Sequence, residues 1–267
     1  MSDPTTAAPR KVAPAAPSST IVLMRDAATG PEVLMVVRHH QIDFASGALV
    51  FPGGKLDPQD DSEAAKAMVD GTPMADVALR IGAIREAYEE SGILLANTAD
   101  GRPATPELLA TLEDERKRVH AGDLPFAALL TKANLRLRCD ELVHFAHWIT
   151  PEMMPKRFDT HFYIVRVPPD QVAAHDGRES VDSVWLTPAD AIAAAKAGTR
   201  TIIFPTLRNL EKLAHFGNVD DAIAQTRASR IVPVLPWTEQ REDGRYLCIP
   251  TEAGYEISEE KMGGPGA

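Results

Sequence analysis

The chain has 267 residues, a formal net charge of −10 and an apolar fraction of 44%. Its length allows one large domain or one domain with appendages, and its apolar fraction is that of a globular protein with a full core. The acidic charge argues against nucleic-acid polymers as partners, because a phosphate backbone demands a basic face. A small phosphate ester that arrives with metal ions remains compatible with this charge.

Cysteine content and apolar runs bear on the compartment. Cys139 and Cys248 are far apart and lack the spacing of metal ligands, so we interpret them as ordinary thiols in a reducing compartment. No apolar run reaches the ~18 residues of a membrane helix, and the N-terminus lacks the apolar core of a signal peptide. We therefore predict a cytoplasmic protein without a membrane partner. The oligomeric state stays open, with a homodimer among the options.

The first third of the chain predicts a tail followed by strands. Residues 1–18 are rich in alanine, proline, serine and threonine and predict a disordered tail. Strands at 19–25 and 33–38 are predicted to form a hairpin, and a third short strand at 47–51 runs into Gly53-Gly54. A short helix over 60–69 follows, capped by Asp60, Asp61 or Ser62.

A longer helix is predicted from Pro73 to Ser91. Thr72 and Pro73 are residue types of an N-cap and a first helical position. Apolar residues recur behind them at helical spacing: Val77, Ile81, Ile84 and Tyr88. Further strands are predicted at 142–149, 160–167 and 181–186, and further helices at 105–120, 126–133, 187–197, 206–216 and 220–230. This mixture predicts an α/β fold, arranged as an α/β/α sandwich with a mixed sheet.

Three glutamates fall within one turn of the long helix. Residues three and four apart share a helix face, so the carboxylates of Glu86 and Glu90 point the same way, with Glu89 beside them. Three adjacent carboxylates repel one another unless a cation lies among them. Hard oxygen ligands of this kind suit Mg²⁺ or Mn²⁺.

A solvated helix face with ordinary ion pairs is the alternative interpretation, because such charged runs are common on surface helices. Arg85 lies four residues before Glu89 and can pair with it. The glycines favour a site, since Gly53-Gly54 lets backbone approach a ligand closely and Gly92 is a good helix stop.

Together these residues resemble a Nudix box: a glycine, five residues, a glutamate, seven residues, then Arg-Glu-apolar-x-Glu-Glu-x-Gly-apolar. Gly54 matches the first glycine, and the second half is matched by Arg85, Glu86, Ala87, Glu89, Glu90, Gly92 and Ile93. Two departures stand out: Asp60 replaces the first glutamate, and 24 residues separate Asp60 from Arg85. We interpret the extra length as a surface excursion over 61–73 that lies outside the metal shell.

The resemblance implies the Nudix fold over residues 19–200, with a helical insertion near 100–140. Residues 201–267 would form helices and strands packed on the same domain. It also implies a hydrolase that splits a diphosphate with the help of Mg²⁺ or Mn²⁺, acting on a small-molecule substrate.

The resemblance further implies roles for individual residues. Glu89 and Glu90 would be the central metal ligands, Glu86 a ligand or the catalytic base, and the Gly54 carbonyl a further ligand. Arg85 would orient the cluster. A further acid outside the box is expected, Glu179 with Asp182 as its competitor.

Three segments resemble the coenzyme A and acyl-CoA diphosphatase branch of the family; they are residues 44–57, 157–162 and 204–210. That branch cuts coenzyme A to 3′,5′-ADP and phosphopantetheine, acylated or not. Gly53 and the arginines Arg38, Arg157 and Arg208 are the candidates for substrate binding. A pyrophosphatase acting on ADP-ribose, NADH or another nucleoside diphosphate derivative is the alternative. A non-catalytic binding module is disfavoured, because all three helix glutamates are present.

Overall fold

The chain forms thirteen strands and eight α-helices within the part described by a computed structural model, residues 12–38, 47–71, 74–167, 171 and 180–263. The strands are β1 (Ala15–Ala27), β2 (Gly30–Arg38), β3 (Leu49–Val50), β4 (Gly53–Lys55), β5 (Ala96–Thr98), β6 (Leu135–Leu137), β7 (Val143–Ile149), β8 (Arg157–Arg166), β9 (Ser180–Leu186), β10 (Pro233–Val234), β11 (Trp237–Arg241), β12 (Gly244–Cys248) and β13 (Glu259–Lys261). The helices are α1 (Glu63–Lys66), α2 (Val77–Ser91), α3 (Pro106–Ala110), α4 (Glu113–His120), α5 (Phe126–Ala133), α6 (Pro188–Lys196), α7 (Phe204–Leu213) and α8 (Val219–Ala228).

The main sheet is mixed and is organised around β1. Its order is β10-β7-β8-β1-β2-β3, with β4 paired to β1 and β9 paired to β2. β1 runs parallel to β8 and antiparallel to β2 and β4. Two smaller sheets are formed by β11-β12-β13 and by β5-β6.

Helices cover both faces of the main sheet. Ile21 and Leu23 of β1 pack with α2, α4 and α5 on one face, which we call the α2 face. Val22 and Met24 alternate with them and pack with α6, α7 and α8 on the other, the α7 face. Because side chains alternate along a strand, β1 contributes to both cores and is buried on both sides. This arrangement confirms the predicted α/β fold with a mixed sheet.

β1 begins earlier than predicted. Residues Ala15 to Ser18 were assigned to the tail, yet they pair in register with Arg157 to Thr160 of β8. This stretch has the alanine, proline and serine composition of a disordered tail, and its strand conformation depends on pairing with β8. Residues 1–11 of the predicted tail lie outside the described residues.

The long helix also starts later than predicted, at Val77 instead of Pro73. Asp76 has a non-helical backbone, with φ −101° and ψ 23°. Its carboxylate accepts hydrogen bonds from Arg80 Nε at 2.8 Å and from the Tyr163 hydroxyl at 2.9 Å. The predicted cap at Thr72 and Pro73 lies outside the described residues. The predicted end is confirmed: α2 stops at Ser91, and Gly92 adopts a left-handed φ of 74°.

The extra residues inside the box form a short packed segment. Ser62 caps α1, and its Oγ accepts a hydrogen bond from the Ala65 N–H at 3.2 Å, so one of three predicted caps is used. Ala65 is 4% exposed and belongs to the core on the α2 face. The segment is therefore anchored to the core as well as lying at the surface.

Residues beyond 200 contribute to the same core. Leu210, Leu213 and Val219 pack with β1 on the α7 face, and β10 pairs with β7 at the edge of the main sheet. Among the described residues, every helix is too short or too polar to cross a membrane.

Candidate active site

The three glutamates of α2 meet the two glycines that begin β4. Glu86, Glu89 and Glu90 are 9%, 7% and 7% exposed, which rules out the solvated-face interpretation. The N–H of Gly53 donates to Glu90 Oε2 at 3.3 Å. The helix spacing and the position of β4 together bring three buried carboxylates and two glycines to one place.

Gly54 is required by the close approach of Glu86. A Cβ built on Gly54 would lie 2.6 Å from the Glu86 carboxyl carbon, far inside the contact distance of two such atoms. At Gly53, a Cβ would lie 2.6 Å from the Ser19 carbonyl oxygen of β1. The two glycines thus let β4 lie close to both β1 and α2 without displacing either.

Arg85 binds the carboxylates that surround it. Its Nε and Nη2 donate to the two oxygens of Asp60 at 2.9 and 3.0 Å, a bidentate pair. Its Nη1 lies 2.9 Å from Glu86 Oε1 and donates to Glu89 Oε1 at 3.1 Å. Burial alone would lower the pKa of Arg85, but Glu86, Asp60 and Glu89 raise it further than burial lowers it. Arg85 therefore stays charged and holds the cluster in position.

Asp60 stands where the box pattern has its first glutamate. It is 2% exposed and accepts from the Asp57 N–H at 2.9 Å as well as from Arg85. Burial raises the pKa of this carboxyl, and the Arg85 guanidinium opposes that rise. The structure thus joins the two halves of the interrupted box through Asp60 and Arg85, across the inserted residues.

The sequence did not identify His120 as a neighbour of the site. This last residue of α4 places its Nδ1 3.6 Å from Glu89 Oε2. It comes from the helical insertion, and Val119 beside it packs into the core on the α2 face. Since no spacing rule links α4 to α2, only the tertiary packing reveals this contact.

The donor set fits a divalent cation. Four buried carboxylates, Asp60, Glu86, Glu89 and Glu90, surround one guanidinium, which contacts the first three. Carboxylates held this close repel one another, and a cation among them relieves that repulsion. Carboxylate oxygens are the ligands that hard divalent ions prefer.

The residues predicted to bind substrate or to act as the outer acid are not all found beside the three glutamates. Arg157 donates from Nε to the Thr150 carbonyl at 2.9 Å and from Nη1 to the Ala13 carbonyl at 2.7 Å. The Arg38 side chain and Glu179 lie outside the described residues. Asp182 is exposed and is aligned with Val37, whose side chain packs on the α7 face, away from the glutamates.

The expectation for Arg208 needs correction. This residue is 3% exposed on α7, the helix that packs on the opposite face of the sheet from α2. Its Nη2 lies 3.1 Å from Glu211 and 3.6 Å from Glu260. A buried guanidinium on the other face does not fit contact with a substrate phosphate at the glutamates.

We expect the substitution Gly54→Ala to separate activity from stability. The added Cβ displaces the end of a flexible side chain, Glu86, so the free energy of unfolding should fall little. The displaced carboxylate should lower kcat/KM roughly a hundredfold, the typical effect of a misplacement of about 1 Å. Urea denaturation and steady-state kinetics measure the two quantities. Gly217→Ala, at a glycine with open space around it and no positive φ, controls for the substitution, and unchanged kinetics in Gly54→Ala would contradict the assignment.

Comparison with known proteins identifies the family of the chain. The family model described as the NUDT19 Nudix domain matches residues 63–213. The chain is 26% identical to the acyl-coenzyme A diphosphatase NUDT19 of Xenopus laevis, over 84% of this chain and 71% of that protein. It is 28% identical to the human protein of that name, over 85% and 73% of the two chains. A solved Nudix hydrolase from Alicyclobacillus acidocaldarius is similar with a TM-score of 0.65 and 28% identity, over 79% of this chain and 96% of that one.

Proposed function

The chain belongs to the NUDT19 Nudix domain family and is a Nudix hydrolase. We propose that it cleaves the diphosphate of coenzyme A or acyl-CoA. The products would be 3′,5′-ADP and phosphopantetheine, acylated or not. The observation that carries the proposal is the buried cluster of Glu86, Glu89 and Glu90 against Gly53-Gly54. The acyl-coenzyme A diphosphatases among its relatives, similar over most of the chain, support the choice of substrate.

The proposed reaction is hydrolysis of the diphosphate, in which a phosphate ester group is transferred to water. A water oxygen bonds to one phosphorus and the bond from that phosphorus to the bridging oxygen breaks. Its electron pair stays on the leaving phosphate ester, and a carboxylate takes one proton of the water. A divalent cation, Mg²⁺ or Mn²⁺, supplies positive charge that stabilises the negative charge gathering on the phosphate oxygens.

In this proposal each residue of the cluster has a separate role. Glu89 and Glu90, with the Gly54 carbonyl, hold the cation, and Glu86 is a further ligand or the base. Arg85 positions Glu86 and Glu89 through the contacts described above. Glu179 is proposed as the outer acid, because the register directs its competitor Asp182 to the opposite face.

Removal of divalent ions is expected to abolish hydrolysis. Without a cation, the four carboxylates would repel an anionic diphosphate. Product formation is measured after dialysis against a chelator and again after Mg²⁺ or Mn²⁺ is restored. Hydrolysis that persists after complete chelation would exclude the assigned role of the cluster.

Substrate preference tests the finer proposal. Coenzyme A carries a 3′-phosphate that dephospho-coenzyme A, ADP-ribose and NADH lack. A charge-assisted hydrogen bond to that phosphate contributes roughly 1.5–3 kcal/mol, so kcat/KM for coenzyme A should exceed that for its 3′-dephosphorylated form by about 10–150-fold. Mass spectrometry of the products identifies the bond that is cut.

The arginine that makes this contact is proposed to be Arg38 or Arg157. Arg157→Gln and Arg38→Gln should each be measured with both forms of coenzyme A, with the buried Arg208→Gln as the comparison. Loss of preference in only one variant identifies the contact. Equal kcat/KM values for both forms in the unaltered protein would show that no such contact is used. A preference for ADP-ribose or NADH would replace the coenzyme A proposal while leaving the hydrolase intact.

A further inference from the structure

Three histidines and an aspartate meet on the neighbouring strands β7 and β8. His147 of β7 is directly opposite His161 of β8, and their rings stack with centroids 4.1 Å apart. Asp159, two residues before His161, shares its strand face and contacts His147 Nε2 through Oδ1. The His161 Nε2 lies 4.0 Å from the same carboxylate oxygen.

A β-bulge brings the third histidine to the same side. His144 and His147 are three residues apart and would face opposite sides of a regular strand. The pairing of β7 with β8 shifts between His144 and Ala146, so Phe145 is the extra residue. Phe145 and Ala146 both pack on the α7 face, and His144 lies with its ring centroid 5.0 Å from that of His161. Bulges that redirect side chains are frequent next to functional sites.

We propose that His147, Asp159 and His161 form a binding site for a divalent transition metal such as Zn²⁺, separate from the glutamate cluster. One ligand atom from each residue lies within 4.8 Å of the others. Ligand atoms around a tetrahedral zinc ion are about 3.3 Å apart, so side-chain adjustments of about an ångström close the three around one ion. Two imidazoles and a carboxylate select a transition metal over Mg²⁺, which prefers oxygen ligands.

His144 completes the site by holding a ligand. Its Nε2 lies 3.1 Å from His161 Nδ1. When His161 Nδ1–H donates to His144, the Nε2 lone pair of His161 faces Asp159 and the metal position. Such a hydrogen bond from the second ring nitrogen is the usual support of a metal-binding histidine.

The register shows that this site is distinct from the glutamates. His147, His161, Ser19 and Gly54 are successive partners across β7, β8, β1 and β4. His161 and Gly54 are therefore two strand spacings apart, about 10 Å. The three donor residues belong to β7 and β8, and none is a glutamate of α2, so the two sites have separate donor sets.

Three protein ligands would leave one position of the ion open to water or another small ligand. The side chains of His147, Asp159 and His161 are 15%, 39% and 23% exposed, so a fourth ligand has access from solvent.

Calorimetric titration of the metal-free full chain with Zn²⁺ tests the proposal. Excess Mg²⁺ is present throughout to occupy the glutamates. We expect one Zn²⁺ per chain, with affinity reduced at least tenfold in His161→Gln and in Asp159→Asn. Glu90→Gln should leave this affinity unchanged, and so should His215→Gln, an exposed histidine paired with Glu256. Titration with Co²⁺ gives a second readout, because imidazole ligation changes its visible absorption.

Three results would overturn the proposal: no Zn²⁺ binding in the presence of Mg²⁺, equal affinity in His161→Gln, or loss of binding in Glu90→Gln. Far-ultraviolet circular dichroism verifies that each variant is folded. If His161→Gln does not fold, His147→Gln and Asp159→Asn make the same comparison. None of these measurements depends on hydrolytic activity, so the test stands apart from the proposed function.

Discussion

Replacing Glu90 by glutamine is expected to lower kcat about a thousandfold, since charge stabilisation by a bound cation is worth several kcal/mol in the transition state. The substitution removes one negative charge from a group that is 7% exposed and keeps an oxygen that can accept from the Gly53 N–H. Repulsion among the carboxylates falls, so the free energy of unfolding should be unchanged or higher. Single-turnover kinetics at several Mg²⁺ concentrations, together with urea denaturation, measure both effects.

Glu63→Gln is the matched control for this variant. The Glu63 side chain is 94% exposed on α1 and pairs with Lys66, so its loss should change neither kinetics nor stability. Near-normal turnover of Glu90→Gln at limiting metal would show that Glu90 is not a ligand. A large loss of stability would instead assign Glu90 a structural role.

Replacing Arg85 by glutamine is expected to lower the free energy of unfolding by about 3–5 kcal/mol, the usual effect of removing one partner from a buried ion pair. The variant leaves Asp60, which is 2% exposed, without the bidentate partner that compensates its burial. It also removes the donor to Glu89. Denaturation with urea, followed by fluorescence or circular dichroism, measures the change.

A double variant separates the Arg85–Asp60 pair from the rest of the cluster. Asp60→Asn removes the buried charge, so Arg85→Gln should cost less in that background than in the unaltered protein. Arg102→Gln, an 82% exposed arginine paired with Asp100, should leave the stability unchanged. Additive effects of the two substitutions would show that Asp60 and Arg85 do not stabilise each other.

The sequence predicts well what a single helix determines. Glu86 and Glu90 share a face because backbone geometry sets it, and Gly92 ends the helix because it adopts a left-handed conformation that other residues avoid. The start of α2 was misplaced, because Asp76 is held outside the helix by Arg80 and by Tyr163 of a distant strand.

Contacts between distant segments are what the sequence could not predict. Asp60 reaches Arg85 across the insertion, and His120 reaches Glu89 from a helix without any motif. Arg208 was placed at the substrate by its segment, yet its helix packs on the opposite face. The shared face of His144 and His147 depends on a one-residue shift in strand pairing, which the alternation rule alone would have assigned the other way.

The pairing of β1 with β8 has a consequence for how the chain folds. Ala15 pairs with Arg157, and the parallel ladder continues to Met24 and Arg166. The ribosome therefore synthesises β1 long before its partner β8. Contacts between residues so far apart in sequence slow folding, because the entropy of closing the intervening chain is lost before the strand pairing stabilises the structure. On the ribosome, the apolar residues of β1 would stay without this partner until β8 emerges, a period when a nascent chain is prone to aggregate. Chaperone dependence during synthesis should therefore be set by the distance between these two strands, and a circular permutant that brings them together should refold faster.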